Sequence, residues 1–270
     1  MRGTAAILAV GAGTLAMLPY IAASAGEAAA PAPALEEVVV TSTRDRAAPG
    51  HARSVSEGEV TSEQLDNRPL LRPGELLEAV PGLVVTQHSG DGKANQYFLR
   101  GFDLDHGTDF ATSVDGVPVN MPTHAHGQGY SDLNFLIPEL VDRIDYRKGV
   151  YYAEDGDFSA AGAAEIHYRL RLDAPFVTLS TGADGYRRIA AATSTALRGG
   201  ELLLGGEFGL TNGPWMLPEG YERLSGLVKY THSDDERGYA ITAMGYDGHW
   251  HATDQIPQRR ARHDLSLIHI

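Results

Sequence analysis

Residues 97–129, YFLRGFDLDHGTDFATSVDGVPVNMPTHAHGQG, decide how this chain is read. Two strand-like runs, ATSV and VPVN, flank Asp115-Gly116, and a two-residue Asp-Gly loop favours the type I′ turn whose twist suits a β-hairpin. Upstream, Gly101 follows Arg100 at the end of the apolar run YFL, where a residue without a Cβ lets the backbone turn sharply. Downstream, the loop carries His124 and His126, and His106 lies between the two turns. The segment therefore predicts a hairpin and poses the question of a metal or ligand beside it.

The wider composition removes several classes of function. The 270 residues carry a formal charge of −13, with no dense basic stripe to neutralise phosphates, so a nucleic-acid partner is not expected. The absence of cysteine excludes disulfide staples, thiolate metal sites and cysteine nucleophiles. Thirty-one glycines and 12 tyrosines lean towards a β-rich, turn-rich protein.

At the N-terminus Arg2 precedes an apolar stretch that ends in Ala23-Ser24-Ala25. A basic start, an apolar run and a small-residue A-x-A site read as a secretory signal over residues 1–25, in preference to a membrane anchor. Residues 26–53 read as a flexible segment: an Ala/Pro spacer, then the β-prone run LEEVVVTSTR, then a second turn-rich stretch. Such an isolated run suits pairing with the sheet edge of another protein; it equally suits an N-terminal strand of the folded domain.

From residue 54 to 169 short helices and strands alternate, as in a compact α+β domain. Pro73 to Val80 predicts a short helix with proline at its start, and Pro138 opens a second, PELVD. LVVTQ, YFLRG, the hairpin arms, RIDYRKG and the run ending EIHYRL are strand candidates. Over residues 170–264 the pattern changes to strands and turns with period 2. Leu202, Leu204, Phe208 and Leu210 share one face opposite Glu201 and Glu207; Leu224, Val228 and Tyr230 share one face opposite Arg223, Ser225, Lys229 and Thr231. Either a transmembrane β-barrel or a soluble sandwich alternates in this way. About four or five strands are too few to close a barrel, whose minimum is about eight, so on the barrel reading the barrel is incomplete here. The last six residues, LSLIHI (265–270), break the polar texture and read as a non-native tail.

Together these motifs resemble the N-terminal part of TonB-dependent outer-membrane receptors. EEVVVTSTR (Glu36 to Arg44) looks like the TonB box. RPGELLEAVPGLVV (Arg72 to Val85), YFLRGFD (Tyr97 to Asp103), VDGVPVN (Val114 to Asn120) and the segment Ile137 to Ile166 are similar, in order, to the elements of the plug. The resemblance implies an α+β plug followed by the first antiparallel strands of a barrel that in the family has about 22 strands around the plug. It also implies a location in the outer membrane of a Gram-negative bacterium, and energy-coupled uptake of a scarce nutrient such as a siderophore or other metal chelate. TonB would add a strand at Glu37, Val38, Val39, Val40 and Thr41. The expected partners are TonB, outer-membrane lipid and a small-molecule nutrient or metal chelate. No cofactor or enzyme activity is expected, and neither a Walker A nor a credible dinucleotide motif is found. The runner-up function is a secreted β-rich binding or adhesion protein.

Within this frame Asp103, Asp105, His106, His124, His126 and Gln128 are the candidate ligand contacts, with His124 and His126 the candidate metal ligands, since neutral imidazole binds zinc, copper, iron and nickel. His124-Ala125-His126 resembles the start of a metallo-hydrolase motif, but Gln128-Gly129 stand where that motif has Asp-His. The alternative is that the histidines shape their loop through hydrogen bonds. Asp155 and Asp157 read as turn residues rather than calcium ligands, and Tyr230, Tyr239 and Trp250 as membrane-interface aromatics.

Overall fold

The computed structural model describes residues 54–68, 72–87, 90–123, 129–234 and 237–252. The TonB-box segment, the signal segment and residues 265–270 lie outside these, as do His124, His126 and Gln128.

The first half is built on a mixed sheet. Strand β1 (Glu57–Thr61) leads into a one-turn helix α1 (Ser62–Asp66), whose N-terminus is capped by Gln64 Oε1 accepting the Thr61 amide at 3.1 Å. A small three-stranded sheet follows: β2 (Leu83–Thr86), β3 (Gln96–Leu99) and β4 (Phe102–Leu104), in that order. Next come β5 (Phe110–Val114), β6 (Val117–Pro118), β7 (Val141–Lys148) and β8 (Gly162–Tyr168). They join β1 in the order β1-β7-β8-β5-β6, with β5 and β8 parallel. Alternation puts Val60, Ile144, Ile166, Phe110 and Val114 into a core with Leu76, Leu77, Leu99 and Leu104; Glu59, Asp145 and Glu165 line the other face.

Both predicted turns form as their residues require. Asp115 and Gly116 have φ of 46° and 79°, and Arg100 and Gly101, linking β3 to β4, have 51° and 85°. Two successive positive φ values are the type I′ condition. The helices differ from expectation. Pro73–Ala79 is a 3-10 helix that buries Leu76 and Leu77. The PELVD helix shrinks to a 3-10 turn over Pro138–Leu140, because Val141 and Asp142 are taken into β7 by pairing with β8. Sheet hydrogen bonds outweigh the weak helical propensity of a five-residue run.

The second half is one antiparallel meander: β9 (Phe176–Thr181), β10 (Arg187–Leu197), β11 (Gly200–Thr211), β12 (Tyr221–Ser233) and β13 (Gly238–His249). Its two faces have the burial opposite to that of a soluble sandwich. The apolar face is open, with Leu224 58% exposed, Val228 46% and Phe208 42%. The polar face is covered: Glu207 is 2% exposed, Lys229 4% and Arg223 6%. What covers it is the first half, whose core continues into Ala192, Leu203 and Leu227 on the inner face of this wall. Leu140 lies so close to Gly205 that a Cβ there would collide with it.

Trp250 corrects one sequence expectation. Tyr230 and Tyr239 do sit together on the outer face, ring centroids 6.1 Å apart. Trp250, by contrast, meets Tyr221 edge-on at 6.1 Å and packs on Gly92 of the first domain.

Candidate functional site

The two halves meet through charges as well as apolar contacts. Glu139, on the 3-10 turn before β7, takes a bidentate pair from Arg188 at 2.6 and 2.7 Å. Arg188 also reaches Glu207 at 2.7 Å, and Arg223 donates to the other oxygen of Glu207. Burial alone would raise the Glu139 pKa, but the hydrogen bond and charge of Arg188 outweigh it and hold the carboxyl below its ordinary value. A second tie runs from Lys229 on β12 to Asp115 Oδ2 at 2.9 Å, with Lys229 Nζ also donating to the Tyr168 carbonyl at 3.1 Å. Asp115 Oδ1 accepts the Tyr168 amide at 3.1 Å. The Asp-Gly turn is thus both a hairpin corner and an anchor to the wall.

Above the Arg188–Glu207–Arg223 row, a cleft of about 460 Å³ opens between wall and first domain. Arg72, Asp91 and Asn134 line it from one side; Tyr186, Pro214 and Tyr221 line it from the other. It has the size and mixed lining of a small-molecule site. A larger groove, about 700 Å³, follows the polar face of the mixed sheet past Glu57, Asp145 and Glu165. Its charges are largely paired among themselves, Arg147 with Asp155 at 2.8 Å and His167 with Asp145 at 2.9 Å, which leaves the cleft the better candidate.

The predicted ligand residues divide. His106 is buried at a φ of 52°, its Nδ1 3.3 Å from the Ala94 carbonyl and its ring 5.2 Å from that of Tyr130. Its carbonyl accepts the Ser131 amide at 2.8 Å, and Met121 and Tyr130 exchange backbone bonds at 2.8 and 3.2 Å. The base of the loop that carries the other two histidines is therefore pinned beside His106. Asp105 Oδ1 lies 3.8 Å from His106 Nε2, while Asp103 points outward and accepts a bond from Gln96 at 2.7 Å. Among the described residues no group of three or more His, Asp or Glu side chains could hold a metal. Sequence reasoning missed Arg188, Glu207 and Glu219; for the first two the available signal was a charged residue on the polar face of a strand, whereas Glu219 lies in the loop between β11 and β12 and carries no such signal.

Residues 50–163 match the model of the TonB-dependent receptor plug domain. Three solved structures share the fold of the chain. The copper transporter OprC superposes with a TM-score of 0.56 at 18% identity, over 75% of this chain and 32% of its own. The pyoverdine outer-membrane receptor FpvA from Pseudomonas aeruginosa PAO1 gives 0.55 at 17%, over 72% and 27%. A mutant of the ferric enterobactin receptor PfeA from Pseudomonas aeruginosa gives 0.52 at 16%, over 71% and 32%. The chain thus spans about a third of the length of these proteins or less. It carries the plug domain of the TonB-dependent receptor family, packed against the first antiparallel strands of the barrel wall.

Proposed function

We propose that this chain is the N-terminal part of an outer-membrane receptor that imports a scarce nutrient, a siderophore or another metal chelate, with energy delivered through TonB. The carrying observation is the inverted wall: an apolar face turned outward and a charged face turned onto the plug. In water that arrangement exposes apolar surface for no gain; against lipid it satisfies both sides. Residues 1–25 then act as export signal, and residues 26–53 tether the box Glu37–Thr41, which pairs with TonB as an added strand.

Cargo enters the cleft beneath Pro214 and Asp91. Asp103, Asp105, His106, His124, His126 and Gln128 are the side chains proposed to contact the cargo, with His124 and His126 the candidate metal ligands. The receptor reading is tested in a deletion strain complemented with the full-length gene. Growth under iron, zinc or copper limitation should be restored by the native gene and lost on deletion of residues 36–44. Recovery of the product solely in the soluble periplasm would sink it. Replacing His106, His124 and His126 together by alanine tests the site; unchanged cargo binding would remove all three.

A further inference from the structure

A buried carboxylate of the wall reaches into the plug. In the loop of residues 212–220 between β11 and β12, Glu219 is 1% exposed, and its Oε2 accepts the Asp91 amide at 3.0 Å. Its Oε1 accepts the indole N–H of Trp215 at 2.7 Å. The backbone of the same residue donates to the Asn212 carbonyl at the start of the loop, at 2.9 Å, and accepts the amide of His251, which follows β13, at 2.8 Å. The plug loop is cut to fit: a Cβ on Gly90 would strike the Glu219 carboxylate, and one on Gly92 would strike the Trp250 indole. On the plug side, Gln87 bonds Asp91 Oδ1 at 3.0 Å and Asn134 bonds the carbonyls of Gly92 and Lys93 at 3.3 Å. Next to this joint Trp215, Met216 and Leu217 are exposed, Met216 completely.

We infer that Glu219 is a positioning residue that couples the wall loop 212–220 to the plug loop 90–92, so that displacement of Trp215 is transmitted to Asp91. One carboxylate serves both donors while almost wholly shielded from water, and a buried charge that loses a donor is left poorly solvated. The two loops therefore favour moving as one. Asp91 and Pro214 both line the cleft, so an occupant would touch each side of the joint; that consequence rests on the receptor reading, whereas the coupling itself does not.

The test needs no cargo. The chain has two tryptophans, Trp215 and Trp250, and they flank the plug loop. In the full-length protein in detergent, Trp215→Phe removes the indole donor while keeping an aromatic ring at the position. Hydrogen exchange of amides 90–92 should accelerate by about 5- to 150-fold, the range of typical coupling energies. Glu219→Ala should do the same, and the double variant no more than Glu219→Ala alone. Protection along β11 and β12 should stay unchanged, and Glu219→Gln, which keeps one acceptor, should fall between. Plug-loop exchange that ignores Trp215→Phe, or single effects that multiply in the double variant, would overturn the coupling. Failure of the receptor reading is seen separately, as absence of TonB-dependent growth with the native gene.

Discussion

The plug and the wall use the same alternation of side chains and bury opposite sets. In β7 of the plug Ile144 and Tyr146 are buried while Asp142 and Arg143 are partly open. In β12 of the wall Arg223, Ser225 and Lys229 are buried while Leu224 and Val228 are open. Period 2 sets which residues share a face; the solvent beyond the sheet sets which face is covered. A strand that hides lysine and shows leucine is not designed for water on its outer side.

Four experiments test that contrast. Phe110→Ala, in the plug core, should cost about 3–5 kcal/mol in denaturant unfolding, whereas Phe208→Ala, on the outer wall, should cost only the transfer part, about 1.5–3 kcal/mol, because on the receptor reading lipid tails close over the site and leave no cavity. Equal costs would mean that Phe208 is covered by protein. Arg188→Ala leaves Glu139 without its partner and Glu207 with Arg223 alone; a loss of about 3–5 kcal/mol is expected for breaking such a buried pair, partly recovered when Glu139→Gln is added. A neutral result would remove the ion row as a plug–wall tie. Leu224→Arg should impede folding into bilayers by about 2–4 kcal/mol, the cost of a charge near the midplane of the outer face. Bilayer folding indifferent to Leu224→Arg would put water on the outer face.

The smallest effect concerns pH. The Glu139 carboxyl titrates below its ordinary value in the folded protein, so the native state binds fewer protons than the unfolded one between the two values. Its stabilisation is complete above the unfolded value, about 4.3, and is lost as pH falls through the lowered one. Acid titration of the native protein should therefore lose stability in that range faster than Glu139→Gln does. Parallel curves would show that Arg188 is satisfied by Glu207 alone.

Local chemistry made much of this architecture readable. Asp115-Gly116 and Arg100-Gly101 turn as their residues demand, because two adjacent positive φ values need a glycine in the second place and tolerate few residues in the first. The alternation in β11 and β12 likewise declared two chemically distinct faces. The helix expected at Pro138 stops after one turn because its length depends on β8, a partner that lies more than 20 residues away in sequence. Trp250 has the residue type of an interface aromatic, but it follows the end of β13 and packs on Gly92, a contact that only tertiary placement supplies. For His106 the sequence offered two uses, ligand contact or loop shaping, and only the positions of Ala94 and Tyr130 describe its surroundings.

The turns, the strand faces and the order of motifs are legible without the fold, since all of these follow from the local chemistry of a few neighbouring residues. The tertiary structure decided which face of the wall meets the plug, that Asp115 anchors to Lys229, and that Glu219 reaches Asp91 across 128 positions of chain. Those contacts depend on where distant segments come to rest. A buried charge is tolerated there only once its partners have arrived.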